Sequence, residues 1–179
     1  MQWLFARTMF WPTFIWNSLL GRVLHVRNWW DRVDEHVVLG AMPLASDVPK
    51  LAAAGVRGVV NTCQEYAGPQ AEYAKAGIEQ LWIPTVDFTP PSLPDVERAV
   101  AFMDRFTQNG ETVYVHCKAG RARSATVVLC WLMTNRGLSP AAAQQWLLKK
   151  RPHVHARLDE RRVVREFAEK HGVPHDGSS

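Results

Sequence analysis

Short apolar runs alternate with amphipathic segments along the chain from residue 36 onward. The runs predict buried strands at 36–40, 56–61, 78–84 and 112–117. Helices are predicted between and after them, at 46–55, 69–77, 124–133, 139–150 and 158–172, with one more beginning at Pro94. Strands and helices in alternation are typical of an α/β fold. We therefore expect a single domain with a mainly parallel central sheet flanked by helices.

The sequence also predicts which faces of two helices are buried and where one loop lies. The helix that begins at Pro94 carries Val96, Val100, Met103 and Phe106 at helical spacing on one face. The segment 124–133 is apolar on nearly every side, which predicts a buried helix. Residues 85–94 contain three prolines and are predicted to form a loop.

The first 30 residues differ from the rest in composition. They hold five of the eight tryptophans and three arginines, with no acidic residue before Asp31. Their longest uncharged run, Thr8 to Gly21, has 14 residues, fewer than the roughly 20 needed to span a bilayer. Three arrangements stay open for this aromatic, basic and helical segment: packing on the domain, an interfacial helix on a membrane, or an organellar presequence. We expect the domain to occupy 31–172 and residues 173–179 to form a loose tail.

Charge and cysteine content narrow the class of protein. The net charge of +4 suits anionic substrates or surfaces, and no nucleic-acid partner is expected from so mild a bias. Three cysteines form no disulfide framework, and their spacing does not read as a zinc site. We therefore expect a reducing compartment and a protein that is not secreted.

The chain places Cys117 directly after an apolar strand and before a buried helix, a position that favours an anion site. Ligands of open α/β sheets bind at the carboxyl ends of strands, and a helix N-terminus offers unpaired N–H groups. Gly120 lets the intervening loop turn, and Arg123 can return its planar guanidinium over two phosphate oxygens. The same positive field would lower the pKa of the Cys117 thiol and activate it as a nucleophile.

The Cys-x5-Arg spacing occurs a second time, at Cys130 and Arg136, so the spacing alone does not indicate an anion site. It has no glycine and no preceding histidine, so Cys130 is predicted to be an ordinary core cysteine. The first pair is distinguished by His116, Gly120 and Ser124.

At these residues the chain resembles the cysteine-dependent protein-tyrosine/dual-specificity phosphatases, whose signature His-Cys-x5-Arg-Ser/Thr it matches. The segments 28–43, 85–89 and 116–126 extend the likeness to the mitochondrial phosphatidylglycerophosphate phosphatase branch and its plant and bacterial relatives. This resemblance implies a two-step reaction through a phosphocysteine on Cys117, without metal or other cofactor. It also implies a location in the cytoplasm or the mitochondrial matrix, with possible peripheral contact between residues 1–30 and a membrane.

The resemblance also implies a role for each residue of the site. Arg123 and the backbone amides of residues 118–123, including Ala119, Gly120 and Ala122, would bind the phosphate oxygens. Asp87 would act as general acid and then general base. Ser124 would assist departure of the sulfur, and His116 would orient the loop.

The substrate class is the less certain part of this interpretation. Lys118 and Arg121 add cations that suit a phospholipid headgroup. Lipid-active relatives carry Glu-Glu-Tyr-Glu after the second predicted strand, and here only Glu65 and Tyr66 match it. A dual-specificity protein phosphatase acting on phosphotyrosine and phosphoserine/threonine therefore remains the alternative, and a catalytically silent phosphate-binding module is a third.

Two further features carry weaker predictions. Cys63 lies beside the Glu65 motif, and a reversible disulfide with Cys117 is conceivable. The basic stretch 149–162 is predicted to be a solvated helical face because acids are mixed among its cations. Low-molecular-weight phosphatases, arsenate reductases and rhodanese-like phosphatases also use this cysteine–arginine spacing. They fit less well, because the loop begins late in the chain and a separate loop acid is present.

Overall fold

A five-stranded sheet in the order β1-β2-β5-β3-β4 organises residues 28–174, the part of the chain that the computed structural model describes. Its strands are β1 (Trp30–Asp34), β2 (Val37–Gly40), β3 (Val56–Cys63), β4 (Glu79–Thr85) and β5 (Thr112–His116). β1 pairs antiparallel with β2, and every other pairing is parallel. The predictions for residues 1–27 and 175–179 lie outside the described residues.

Helices cover both faces of this sheet. They are α1 (Val48–Ala53), which follows a 3₁₀ turn at Ala45–Asp47, α2 (Gln70–Lys75), α3 (Leu93–Thr107), α4 (Arg123–Arg136), α5 (Pro140–Lys150) and α6 (Arg162–Lys170). The predicted α/β class, with a mainly parallel sheet flanked by helices, is confirmed. Within residues 28–174, no helix combines the length and the apolar character needed to cross a bilayer.

The two faces of the sheet bury separate apolar cores because side chains alternate along each strand. In β5, Val113 and Val115 point into the larger core, which α3, α4, α5 and α6 cover. Tyr114 points into the smaller core with residues of α1 and with Tyr73 of α2. The helix predicted at 124–133 is buried along nearly its whole length, as expected.

The structure corrects the sequence interpretation in two places. β1 was not predicted. Of its residues, Val33 belongs to the larger core, and a register shift between Arg32 and Asp34 interrupts its pairing with β2. The last helix begins at Arg162, not at residue 158. Residues 151–161 form a loop that buries Arg151, Val154 and Leu158, so the prediction of a solvated helical face for 149–162 was wrong.

The parallel arrangement decides where a site can form. β2, β3, β4 and β5 all end at the same edge of the sheet, where each strand passes into a loop. The candidate residues near 65, 87 and 117 all lie in loops that follow these strand ends.

Candidate active site

The loop at 117–122 joins the end of β5 to the first residue of α4. Cys117 begins it and is almost completely buried. Gly120 has φ +64, and a Cβ at this position would lie 2.4 Å from the carbonyl oxygen of Gly40. Only glycine fits this position, because the left-handed backbone and the close approach to β2 both exclude a side chain.

Every backbone carbonyl from residue 118 to 122 is held by a donor outside the loop. In chain order, the donors are Met42 N (3.3 Å), Arg151 Nη2 (3.2 Å), Arg151 Nε (3.0 Å), His155 N (2.8 Å) and Thr126 N (3.0 Å). The C=O and N–H of a trans peptide point in opposite directions, so the N–H groups of residues 119–123 face the interior of the loop. One of them, Gly120 N, lies 3.2 Å from the sulfur of Cys117. The loop is therefore a ring of amides around a thiol.

The guanidinium of Arg123 closes this ring and is almost completely buried. Its Nη1 donates to Glu65 Oε2 at 2.9 Å and to the carbonyl of Thr85 at 2.7 Å. Its Nη2 lies 3.0 Å from Asp87 Oδ1. Burial opposes the charge, but Cys117 and the other surrounding acidic groups hold the pKa of Arg123 above its ordinary value.

This environment shifts the ionisation of Cys117. Burial would raise the pKa of its thiol, but Arg123, the hydroxyl and N–H of Ser124 and the N–H of Arg121 lower it to about 7. The thiol is therefore about half ionised at neutral pH. A cysteine in this state is a competent nucleophile.

Asp87 follows β4, which lies on the other side of β5 from β2 in the sheet. Besides its contact with Arg123, its Oδ2 accepts from Lys118 Nζ, and both side chains are largely buried. The structure thus brings Asp87, Lys118, Arg123 and Cys117 together at one sheet edge, as the sequence predicts. Asp95, the next acidic residue along the chain, lies in the first turn of α3, where its N–H donates to Ser92 Oγ.

His116 and Ser124 flank the loop inside the core. His116 is fully buried at the end of β5 and stacks on Tyr114 with ring centroids 5.7 Å apart. Burial lowers the pKa of His116 to about 3, so the imidazole is neutral at pH 7. Ser124 is fully buried in the first turn of α4, beside Cys117.

Two residues predicted to contact substrate are engaged elsewhere. The hydroxyl of Tyr66 donates to the Pro43 carbonyl at 2.8 Å, and burial raises its pKa to about 12. The exposed Arg121 donates through Nε to the His153 carbonyl at 2.8 Å. Their contact with substrate stays a prediction.

The other two cysteines are buried, free thiols. Burial raises the pKa of Cys130, which confirms the prediction of a core cysteine. Burial also raises the pKa of Cys63, which ends β3 beside β5. Cys117 is a free thiol as well, so its disulfide with Cys63 stays a prediction.

The sequence did not indicate that Arg151 anchors the outer, carbonyl side of the Cys117 loop. Arg151 is 1% exposed, forms an ion pair with Asp31, and donates to the carbonyls of Ala119 and Gly120. A basic stretch normally indicates solvated side chains. Two apolar residues of the same segment, Val154 and Leu158, did indicate that part of it is buried, and both are buried in the structure.

Comparison with known proteins places this geometry among phosphatases. The family model for the dual specificity phosphatase catalytic domain matches residues 37–170. The phosphatidylglycerophosphate phosphatase PTPMT2 of Arabidopsis thaliana is 39% identical over 166 residues, which cover 91% of this chain and 73% of that protein. The phosphatidylglycerophosphatase and protein-tyrosine phosphatase 1 of Mus musculus is 39% identical over 172 residues, which cover 90% and 89%. The crystal structure of PTPMT1 in complex with PI(5)P superposes with a TM-score of 0.76 at 37% identity, covering 81% of this chain and 97% of that one.

Proposed function

The chain belongs to the dual specificity phosphatase family of cysteine-dependent phosphatases, and from this premise we propose that its substrate is a phospholipid monoester such as phosphatidylglycerophosphate or a phosphoinositide. The observation that carries the chemistry is the ring of inward amides, closed by Arg123 around a thiol with a pKa of about 7. Such a ring binds three phosphate oxygens and presents the sulfur to phosphorus.

In the first step the Cys117 thiolate attacks phosphorus in line. The S–P bond forms while the bond between phosphorus and the lipid oxygen breaks. Arg123 and the N–H groups of residues 118–123 stabilise the charge on the equatorial oxygens. Asp87 donates its proton to the departing alkoxide, which leaves as the alcohol.

In the second step water attacks the phosphocysteine. Asp87, now a carboxylate, accepts a proton from that water, an O–P bond forms and the S–P bond breaks. Inorganic phosphate leaves, and the sulfur departs as the thiolate, which the hydroxyl of Ser124 stabilises. We expect the fully buried His116 to orient the start of the loop from within the core.

Support for a phospholipid comes from two directions. The relatives reported above are named for phosphatidylglycerophosphate, the mouse relative also for protein-tyrosine phosphatase, and PTPMT1 has been crystallised with PI(5)P. Lys118 adds a second largely buried cation beside Arg123, which favours a headgroup with more than one anionic group. Such a substrate implies a membrane location, either in the cytoplasm or in the mitochondrial matrix, with residues 1–30 as a candidate contact.

A substrate panel tests this proposal. Phosphate release is measured from phosphatidylglycerophosphate and a phosphoinositide in detergent micelles, and from phosphotyrosyl and phosphoseryl peptides. The variants are Cys117→Ser and Cys130→Ala, a matched pair in which each cysteine is followed six residues later by arginine. We expect turnover of lipid that Cys117→Ser abolishes and Cys130→Ala retains.

The panel also contains the contradicting outcomes. Rapid turnover of phosphopeptides with none of the lipids would favour the dual-specificity protein phosphatase. Tight phosphate binding with no turnover of any substrate would favour a phosphate-binding module.

A further inference from the structure

The side chain of Lys118, the residue directly after the nucleophile, turns toward the candidate acid. Its ammonium pairs with Asp87 Oδ2, and only 8% of the side chain is exposed. The same ammonium lies 5.7 Å from the centre of the ring of Phe88, the next residue of the acid loop. Lysine is almost never buried unless its charge is paired, so the carboxylate of Asp87 stabilises this burial.

The two loops that Lys118 joins follow strands that are not neighbours. Cys117 follows β5 and Asp87 follows β4, and β3 lies between these strands. Strands two places apart are separated by roughly 10 Å, so the backbone ladder of the sheet does not pair one with the other. Lys118 spans this gap, because its backbone belongs to the Cys117 loop and its side chain reaches Asp87.

Both ends of this bridge are fixed by further hydrogen bonds. The carbonyl of Lys118 accepts from Met42 N at 3.3 Å, which ties the backbone of the bridge to the segment after β2. At the other end, Asp87 Oδ1 accepts from Phe88 N at 3.1 Å, while Oδ2 accepts from Lys118. Donors on both oxygens restrict the rotation of the carboxylate.

Arg123 also contacts Asp87, but the substrate competes for it. Its Nη2 lies 3.0 Å from Asp87 Oδ1 and donates no hydrogen bond within residues 28–174. A bound phosphate would take this donor, because a guanidinium binds two phosphate oxygens through paired N–H groups. A second cation is therefore needed to keep Asp87 in place once the pocket is filled.

We propose that Lys118 is a positioning residue that holds Asp87 opposite the sulfur of Cys117 while Arg123 binds the phosphate. In-line attack places the sulfur, phosphorus and leaving oxygen on one line, so the acid must lie at the far end from the sulfur. A side chain that begins beside Cys117 and ends at Asp87 sets that separation. The inference rests on the general-acid role proposed above for Asp87 and holds for lipid and peptide substrates alike.

Leaving-group dependence isolates an action through Asp87. The measured quantity is kcat/KM for an alkyl phosphate and for para-nitrophenyl phosphate, an aryl phosphate whose leaving group needs little protonation. A cation that only bound phosphate would affect both values equally. In Lys118→Met we expect the aryl-to-alkyl ratio to rise about tenfold to a hundredfold, because a small displacement of a catalytic group costs up to about a hundredfold in rate. Lys118→Arg retains a cation, and its ratio should stay closer to that of the parent.

Two controls make this result specific. In an Asp87→Asn background, Lys118→Met should leave the ratio unchanged, because the group through which the lysine acts is already absent. Lys170→Met removes the lysine of another lysine–carboxylate pair, 2.6 Å from Glu97 and outside the catalytic loops, and should leave the ratio at the parent value. The ratio does not depend on the fraction of folded protein, so partial unfolding cannot imitate the effect.

An aryl-to-alkyl ratio in Lys118→Met that equals or falls below that of the parent would overturn the proposal. Equal losses on both phosphates would assign Lys118 to phosphate binding. A loss confined to phosphatidylglycerophosphate would assign it to the headgroup and leave the phospholipid proposal intact. A further change of the ratio in the Asp87→Asn background would show that the lysine acts independently of the acid. If Asp87→Asn itself leaves the ratio unchanged, the general-acid role fails and this inference fails with it.

Discussion

Replacing Arg123 with methionine should raise the pKa of the Cys117 thiol from about 7 to above its ordinary value of 9.0. Burial raises this pKa, and among the groups that lower it Arg123 has the strongest effect. A shift of two units corresponds to about 2.7 kcal/mol and a hundredfold change in ionisation. The thiolate fraction at pH 7 should therefore fall from about one half to below about 1%.

Thiolate absorbance at 240 nm measures this ionisation directly. Titrating each protein and its Cys117→Ser counterpart from pH 5 to 10 isolates Cys117 from Cys63 and Cys130. A midpoint near 7 in the parent and above 9 in Arg123→Met is expected. A parent midpoint near 9, or one that does not move on loss of the guanidinium, would refute the electrostatic reasoning.

Arg123→Lys is the matched control for this experiment. It keeps a positive charge in the ring but loses the planar group that binds Glu65 and Thr85 simultaneously. The midpoint of Cys117 should stay closer to 7 than to 9, while turnover of phosphate esters falls sharply.

Three further predictions concern the residues around the loop. Asp87→Asn should lower kcat about 10²–10⁴-fold on an alkyl phosphate and far less on an aryl phosphate, whose leaving group needs little protonation. Arg151→Met should lower the free energy of unfolding by about 3 kcal/mol, because the largely buried Asp31 carboxylate loses its ion-pair partner and keeps its hydrogen bond from Asn28, and should also lower kcat/KM by loosening the carbonyl anchors. His116 has a pKa of about 3 in the folded protein and 6.5 as its ordinary value, so the unfolded state binds more protons between these pH values. His116 should therefore make stability fall as pH falls from 6.5 toward 3, and His116→Gln should flatten that dependence in denaturant titrations.

Each of these predictions has an outcome that contradicts it. Equal losses on alkyl and aryl phosphates would remove Asp87 from proton transfer. For Arg151, the control is the double variant with Asp31→Asn, which should recover part of the stability but not the activity. Full recovery of both would assign Arg151 a structural role only. An unchanged acid dependence in His116→Gln would show that other groups carry it.

The catalytic loop could be predicted from the sequence because its chemistry is local. Cys117, Gly120 and Arg123 lie within seven consecutive residues between a strand and a buried helix. Asp87 is more distant in sequence, but parallel strands end at a common edge, and this placed it correctly near the loop. Family resemblance, not spacing, supplied its chemical role.

What the sequence did not predict depends on contacts between distant residues. Arg151 is buried because Asp31, 120 residues earlier, and the carbonyls of the loop surround it. The apolar residues Val154 and Leu158 indicate that the segment is partly buried, but they do not single out Arg151 among its cations. β1 was missed because its two apolar residues, Trp30 and Val33, are three positions apart and so show no alternation. The positive φ of Phe88 could not be predicted either, because phenylalanine disfavours that conformation.

Detection of the phosphocysteine is the most direct test of the proposed mechanism. Wild-type protein turning over phosphatidylglycerophosphate is quenched in acid within milliseconds and digested, and mass spectrometry locates the added phosphate. The two-step mechanism predicts phosphate on the sulfur of Cys117, formed and lost at rates that reproduce steady-state turnover. Turnover without this adduct, or with phosphate on another residue, would contradict it.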